Sequence, residues 1–327
     1  KGFTKNSSIK KIFNRKPLFF RGNPIDNKVS DMILDDRFDS IDPPLIPIVN
    51  SKEIVYDLVH KKDIYNYSSL DLKKNITSNK VLIIGGAGYI GSLLISKLLK
   101  KGFQVTVYDK FIYNNINFFR KKYNKSNLKL IKGDTQDLGK IFRALKDSDM
   151  VIHLAELVGD PLCEKRPEKT YTINFLATSL IGNICKNLGI NKFIYVSSCS
   201  VYGASKNLSN ESSKINPLSI YAKLKTLCEK NFIRNLGEGN RPCILRLGTV
   251  YGLSDRPRYD LVINLFSGLA ANKKEITING GDQWRPFIHV SDVCNAIVSI
   301  IKNKEKNFNG QVINLVSENI QIKKIGS

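Results

Sequence analysis

The segment Tyr221-Ala-Lys-Leu-Lys225 puts a phenol and an ammonium one helical turn apart on the same face. A tyrosine of ordinary pKa, about 10, is a poor base at neutral pH, but a neighbouring lysine cation favours the phenolate and makes the pair usable as acid and base. Ser198 lies 23 residues before the tyrosine, in Phe193-Ile-Tyr-Val-Ser-Ser-Cys-Ser-Val-Tyr-Gly203, an apolar strand pattern that ends in hydroxyls. A different chemistry is written upstream. In Gly85-Gly-Ala-Gly-Tyr-Ile-Gly-Ser92, directly after the apolar run Val81–Ile84, Gly85, Gly88 and Gly91 follow a GxxGxxG pattern at a strand-to-helix turn. Glycines there allow a tight turn and close backbone approach to a pyrophosphate, and the N–H groups opening the helix expected over Ser92–Lys101 would hold the phosphates.

The next strand ends at Asp109, 18 residues beyond Gly91. A carboxylate at that point accepts hydrogen bonds from both ribose hydroxyls and repels a 2′-phosphate, so NAD is the expected cofactor and NADP is disfavoured. A further strand ends at Gly133-Asp134, where Asp134 could reach the adenine edge or serve only in a turn.

These groups require elements to position them. From Lys80 onward, the short apolar runs Val81–Ile84, Gln104–Tyr108, Leu128–Ile131, Met150–Leu154, Phe193–Val196 and Cys243–Leu247 alternate with amphipathic stretches such as Ser92–Lys101 and Leu138–Leu145. That is the spacing of βαβ units, and it predicts an α/β fold with a doubly wound parallel sheet over residues 80–248. Past Thr249 the pattern loosens into loops with Pro, Gly and Arg, expected to form a smaller substrate-binding lobe over 249–327.

The Gly-rich turn, Asp109, Gly133-Asp134, His153-Leu154-Ala155 and the Ser198, Tyr221, Lys225 set together resemble the extended short-chain dehydrogenase/reductase superfamily, in its nucleotide-sugar epimerase/dehydratase branch. The likeness covers about residues 80–320 and implies a Rossmann fold with NAD as cofactor. It gives Ser198, Tyr221 and Lys225 as the catalytic triad, and it places Tyr89, Ile90, Leu154 and Ala155 with the glycines, Asp109, Asp134, Tyr221 and Lys225 around the cofactor. His153, inside an apolar strand, reads as a packed residue, and Asn174 as a structural helix residue.

The turn is most like that of the UDP-glucose 4-epimerase type, which implies a 4-epimerase working through transient hydride transfer and a keto-sugar. Dehydratases of this branch carry Asp-Glu directly after the triad hydroxyl, where this chain has Cys199 and Ser200, so dehydration is disfavoured. A ketoreductase or decarboxylase built on the same triad, and a non-catalytic NAD-sensing or RNA-binding relative, are the other readings. On the substrate side, the resemblance makes Arg285 and Asn264 the expected diphosphate ligands, within a group of late arginines that includes Arg241, Arg246, Arg256 and Arg258. Thr249 stands where related epimerases often have Asn. The expected partners are a nucleotide-diphosphate sugar and, from the family, a second copy in a homodimer.

The chain has 327 residues, 42% of them hydrophobic, which is enough for a full core, and a formal net charge of +22. The charge is mostly lysine and spread through the chain without a block of like charges, so it reads as compositional bias; no specific nucleic acid is expected. No apolar run approaches the ~18 residues of a membrane span, and the expected location is cytoplasmic. The six cysteines and three histidines lack the spacing of a disulfide framework or a metal site. Residues 1–65 read as a separate small α+β segment, with a helix over Val29–Leu34 and two strands within Leu45–Val59, joined by a linker over 66–79. Pro47-Ile-Val-Asn50 and the strand after it resemble the second half of a CBS-type nucleotide-sensing module, although His60 replaces a residue that is commonly a hydroxyl there. The first residue is Lys and the chain stops where family members begin another helix, so a C-terminally truncated piece of a longer protein is expected.

Overall fold

The computed structural model describes residues 20–21, 45–49, 55–60 and 79–326, apart from 124–126, 191, 206, 237–240, 279 and 304–307. The chain forms two compact units, Lys1–Asp71 and Leu72–Ser327. In the first, β1 (Phe20–Arg21) runs parallel to β2 (Leu45–Val49), and β2 pairs antiparallel with β3 (Val55–His60). The two strands expected within Leu45–Val59 are therefore present, while the expected helix over Val29–Leu34 lies outside the described residues.

The second unit is built on a seven-stranded sheet. Its strands are β4 (Lys80–Ile84), β5 (Gln104–Asp109), β6 (Leu128–Lys132), β7 (Met150–His153), β8 (Lys192–Ser198), β9 (Cys243–Leu247) and β12 (Val312–Leu315), in the order β12-β9-β8-β7-β4-β5-β6. Every pairing is parallel. Helices cover both faces of the central strands, and their near-continuous apolar runs follow from that two-sided burial. Val81, Leu82, Ile83 and Ile84 of β4 are all buried, as are all five residues of β9. The six strands expected from the sequence are in place, and β12 is a seventh that the expected pattern omits.

The order reverses between β4 and β7, and an open α/β sheet binds its ligand at such a reversal, beyond the carboxyl ends of the strands. Helix α1 (Tyr89–Lys100) leaves the Gly-rich turn there. It begins at Tyr89, three residues before the expected Ser92, because Gly88 already has extended backbone and Ser92 N–H reaches back to Gly88 O (3.0 Å). Helices α2 (Ile116–Lys122) and α3 (Leu138–Lys146) follow β5 and β6, with the Asp137 carboxylate capping α3 through Lys140 N–H. After β7 come α4 (Asp160–Lys165), α5 (Pro167–Thr170), a wider π-helical stretch over Tyr171–Ala177, and α6 (Thr178–Asn187). Helix α7 (Ile220–Asn235), capped by Ser219, packs against β8 and the 3-10 turn Cys199–Tyr202.

The smaller lobe holds a second sheet, with β10 (Thr249–Tyr251) parallel to β11 (Trp284–His289) and β11 antiparallel to β13 (Glu318–Gln321). Helix α8 (Val262–Ala271) covers it through Phe266, which packs with Phe287 and Ile322. Helix α9 (Val290–Lys302) returns to the large sheet and lies along α1. No helix among the described residues is long and apolar enough to cross a membrane.

Candidate active site

The Gly-rich turn is shaped by close backbone contact. Gly85 has φ +83°, and a Cβ on it would lie 2.6 Å from Ala155 N; a Cβ on Gly91 would lie 2.5 Å from Gly86 Cα. Both contacts are closer than any side chain permits, so the turn and the end of β7 form a cradle that only glycine can line. Leu154 and Ala155 continue from β7, with Leu154 N–H on Ile84 O (2.8 Å). The first-turn amides of Tyr89, Ile90 and Gly91 have no acceptor within their own helix and suit an anion. Asp109 ties this arrangement together: its Oδ2 accepts from Ala87 N–H (2.9 Å) and its Oδ1 from Phe111 N–H (2.7 Å). Burial raises its pKa, and these backbone donors partly offset that. Asp134, two residues beyond the end of the neighbouring strand β6, pairs with Lys110 (2.8 Å).

Ser198 closes β8, and its Oγ accepts from Ser200 N–H (3.1 Å), which fixes the hydroxyl at the carboxyl edge of the sheet. Tyr221 and Lys225 stand on the first turns of α7 above that edge, with the Lys225 ammonium 5.6 Å from the centre of the Tyr221 ring. The three expected catalytic residues thus belong to two elements packed against each other.

Their electrostatics differ from expectation. Lys225 is not a bare cation beside the phenol: its Nζ pairs with Glu156 Oε2 at 2.7 Å and donates to Val196 O, with only 5% of the lysine side chain and 3% of the glutamate side chain exposed. Glu156 Oε1 accepts from the Tyr195 hydroxyl (2.9 Å). Burial works against charge on Lys225, yet Glu156 overcomes it and holds the lysine pKa above its ordinary value. For Tyr221, burial raises the pKa and Glu156 adds to that, and together they outweigh the lowering by Lys225. The chain's own groups therefore leave the phenol above its ordinary value instead of below it.

Glu156 is absent from the sequence-derived site. The available signal is its place one residue beyond His153-Leu-Ala155 at a strand end, where a carboxylate has no packing role. Glu229 is also missed, although Tyr221, Lys225 and Glu229 recur at four-residue spacing on one face of α7. Glu229 takes both Nε and a terminal nitrogen of Arg246 (3.1 and 2.7 Å) and accepts from Ser197, while Arg246 also donates to the Tyr202 hydroxyl (2.7 Å). Arg246 therefore leaves the group of arginines expected to face a diphosphate: it is 4% exposed and spent inside the fold.

Other expectations sort by partner. His153 is buried against Thr178 Oγ1 (2.8 Å), a packed residue as read. Asn174, in the π-helical stretch, clamps the loop after β7 by accepting from Leu157 N–H (2.9 Å) and donating to Leu157 O (2.7 Å). Asn264, the expected diphosphate ligand, donates to Tyr89 Oη (3.1 Å) and Arg258 O (2.8 Å) and accepts from Gly252 N–H (2.9 Å), so ligand contact would require exchange of partners. The Tyr89 hydroxyl in turn donates to Gly252 O (2.6 Å), placing it between the Gly-rich helix and the lobe. Arg258 pairs with Asp260, and Arg256 stacks 3.7 Å over the Tyr113 ring. Arg285 is exposed on β11. Cys199 hydrogen-bonds to Arg246 O (3.4 Å), and burial pushes its thiol up to about 12.

The model of the NAD dependent epimerase/dehydratase family matches residues 81–315, most of the chain. The chain belongs to that family. The match starts beyond the N-terminal unit and gives its CBS resemblance no support. A dTDP-D-glucose 4,6-dehydratase of Dictyostelium discoideum is 33% identical over 71% of this chain, which spans 58% of that protein. A UDP-glucose 4-epimerase of Lactobacillus helveticus is 28% identical over 72% of the chain and 76% of its own length. Among solved structures, the UDP-glucuronic acid 4-epimerase of Bacillus cereus, in complex with UDP-glucuronic acid and NAD, is 30% identical with a TM-score of 0.66, covering 74% of this chain and 79% of that one. The fold is that of the family, Rossmann-like, and the cofactor is NAD. The Gly85–Ala155 and Gly91–Gly86 contacts fit it, since the turn that precedes the open helix amides can pack this tightly only while no Cβ intrudes.

Proposed function

We propose that this protein epimerises a nucleotide-diphosphate sugar at C4. The observation that supports the reading is that Lys225 lies 5.6 Å from the Tyr221 ring on a helix packed against β8, the strand that ends in Ser198, with no elimination acid and base directly after Ser198. The positions after Ser198 are Cys199, whose thiol is held neutral, and Ser200. Bound NAD supplies the acceptor and later the donor of a hydride. Ser198 hydrogen-bonds the reacting sugar oxygen while Tyr221 takes its proton, leaving a keto-sugar, and Tyr221 returns the proton when the other C4 configuration forms. Lys225 carries the positive charge that favours the phenolate. Tyr89, Ile90, Gly91 and Asp109 would hold the cofactor's phosphates and ribose, and Arg285 the substrate diphosphate.

The reading is tested by incubating the purified chain with UDP-, GDP-, dTDP- and CDP-sugars and following products by NMR. A C4 epimer without net change in NADH is the expected result, and Tyr221→Phe should lower turnover by at least about 10²-fold, the usual worth of a positioned acid/base. A 4-keto-6-deoxy product would assign dehydration instead. Stoichiometric NADH change would assign a ketoreductase, released CO₂ a decarboxylase, and undiminished turnover in Tyr221→Phe would remove the phenol from the mechanism.

A further inference from the structure

We propose that Glu156 is a positioning residue of this site, a built-in counter-charge that holds the Lys225 ammonium against the end of β8 and limits how much of its field reaches the Tyr221 phenol. The inference rests on the proposed role of Tyr221 as acid and base.

The carboxylate is held from several sides. Tyr195, wholly buried on β8, donates to its Oε1, and the ammonium sits 2.7 Å from its Oε2. The loop that carries it is fixed one residue later, where Asn174 both accepts from and donates to the Leu157 backbone. Asn174 projects from the π-helical stretch Tyr171–Ala177, an irregularity that turns up often at functional sites. Glu156 and Val196 O then give the ammonium two fixed acceptors, so the lysine is aimed along the sheet edge and not left to find the phenol unaided.

Burial raises the Glu156 pKa against the lowering by Lys225 and Tyr195, and the ion pair with Lys225 makes it the anion of this cluster. The titratable side chains facing the pair are His153 from β7, Tyr195 from β8, Tyr221 and Cys228 from α7, and Cys163 from α4. Burial holds His153, Tyr195, Cys228 and Cys163 in their neutral forms. Arg258, from the lobe, is the other cation that favours the phenolate of Tyr221. An ammonium with an adjacent carboxylate acts on Tyr221 as a dipole, whose field falls faster with distance than that of a lone charge. Without the carboxylate, an ammonium kept charged by the Tyr221 phenolate itself would stabilise that phenolate more strongly. The counter-charge thus keeps Tyr221 protonated until another positive charge enters the site.

The test is a difference titration of the phenol by ultraviolet absorbance, parent against Tyr221→Phe and Glu156→Gln against the Glu156→Gln/Tyr221→Phe double variant, without substrate. Glutamine keeps the size and an acceptor for the Tyr195 hydroxyl while removing the charge. The ionisation midpoint of Tyr221 should fall by about one pH unit or more, a tenfold gain in phenolate at any pH below it. The rising limb of kcat against pH should move to lower pH by a similar amount, with KM for the nucleotide sugar unchanged, and Glu156→Asp should fall between the two. A purely structural glutamate would lower thermal stability and leave the midpoint in place, and that outcome overturns the proposal. Should Glu156→Gln fail to fold, Glu156→Ala removes the same charge and must shift the midpoint in the same direction; no shift there is equally fatal. The titration is readable without turnover, so an active Tyr221→Phe variant refutes the proposed reaction while an unmoved midpoint refutes only the role of Glu156.

Discussion

At the residue scale, the site is a set of buried polar groups whose charge states are decided by burial and by one another. His153 shows this outside the chemistry. Its ring is 1% exposed and stacked on Tyr195, its Nε2 meets Thr178, and burial together with the nearby Lys225 charge pushes its pKa down to about 3. The folded chain therefore keeps this imidazole neutral, whereas the unfolded chain protonates it below about pH 6.5. Its contribution is complete above that pH and declines as the pH falls toward the folded value, by about 1.4 kcal/mol per pH unit. Urea unfolding at a series of pH values should show parent stability dropping on that slope, and His153→Gln, which has no proton to gain, should lose that component. An equally steep acid loss in the variant would mean that the imidazole protonates in place. The residue scale is also where the sequence says least: Tyr221 and Lys225 are legible as a spacing, but that Lys225 is neutralised by Glu156 depends on two strand ends, β7 and β8, lying side by side.

At the element scale, most of the large sheet is legible because its strands are buried on both faces and so must be near-continuous apolar runs. The switch point follows from the same alternation, and with it the places of Gly85, Asp109 and Ser198. Strand β12 escapes because Val312–Leu315 is only partly buried at the edge of the sheet, where the apolar demand is weaker. The lobe is less legible still, since its loops are held by backbone-directed contacts that leave no periodic trace. The knot of Tyr89, Gly252 and Asn264 is the clearest case, joining α1 to the start of the lobe and to α8. Asn264→Ala would leave Gly252 N–H and Arg258 O without their partners, at a cost of about 1–3 kcal/mol if both stay out of water. A thermal melt of the variant should show that loss along with weaker NAD binding, because the proposed cofactor site includes Tyr89, which opens α1. If Asn264 acts only as a diphosphate ligand, KM for the sugar rises and the melt is unchanged.

At the scale of the whole molecule, 51 lysines and arginines stand against 29 aspartates and glutamates, for a net charge of +22. Glu156 and Glu229 are committed to buried Lys225 and Arg246, and Asp134, Asp255, Asp260 and Asp282 are each already paired with a cation. The remaining lysines repel one another in the folded state more than in an expanded chain, which destabilises the compact form. Salt weakens that repulsion, since the screening length falls from about 30 Å at 0.01 M to about 10 Å at 0.1 M. The buried pairs at the site are shielded from the same ions and should hardly respond. Raising sodium chloride across that range should therefore raise the unfolding midpoint, and a flat or falling midpoint would show that attractive surface pairs outweigh the repulsion. A short RNA at matched ionic strength separates general repulsion from a shaped polyanion site: diffuse charge predicts no stabilisation beyond that of the salt, whereas an additional, saturable rise in the midpoint would give the basic surface a partner of its own.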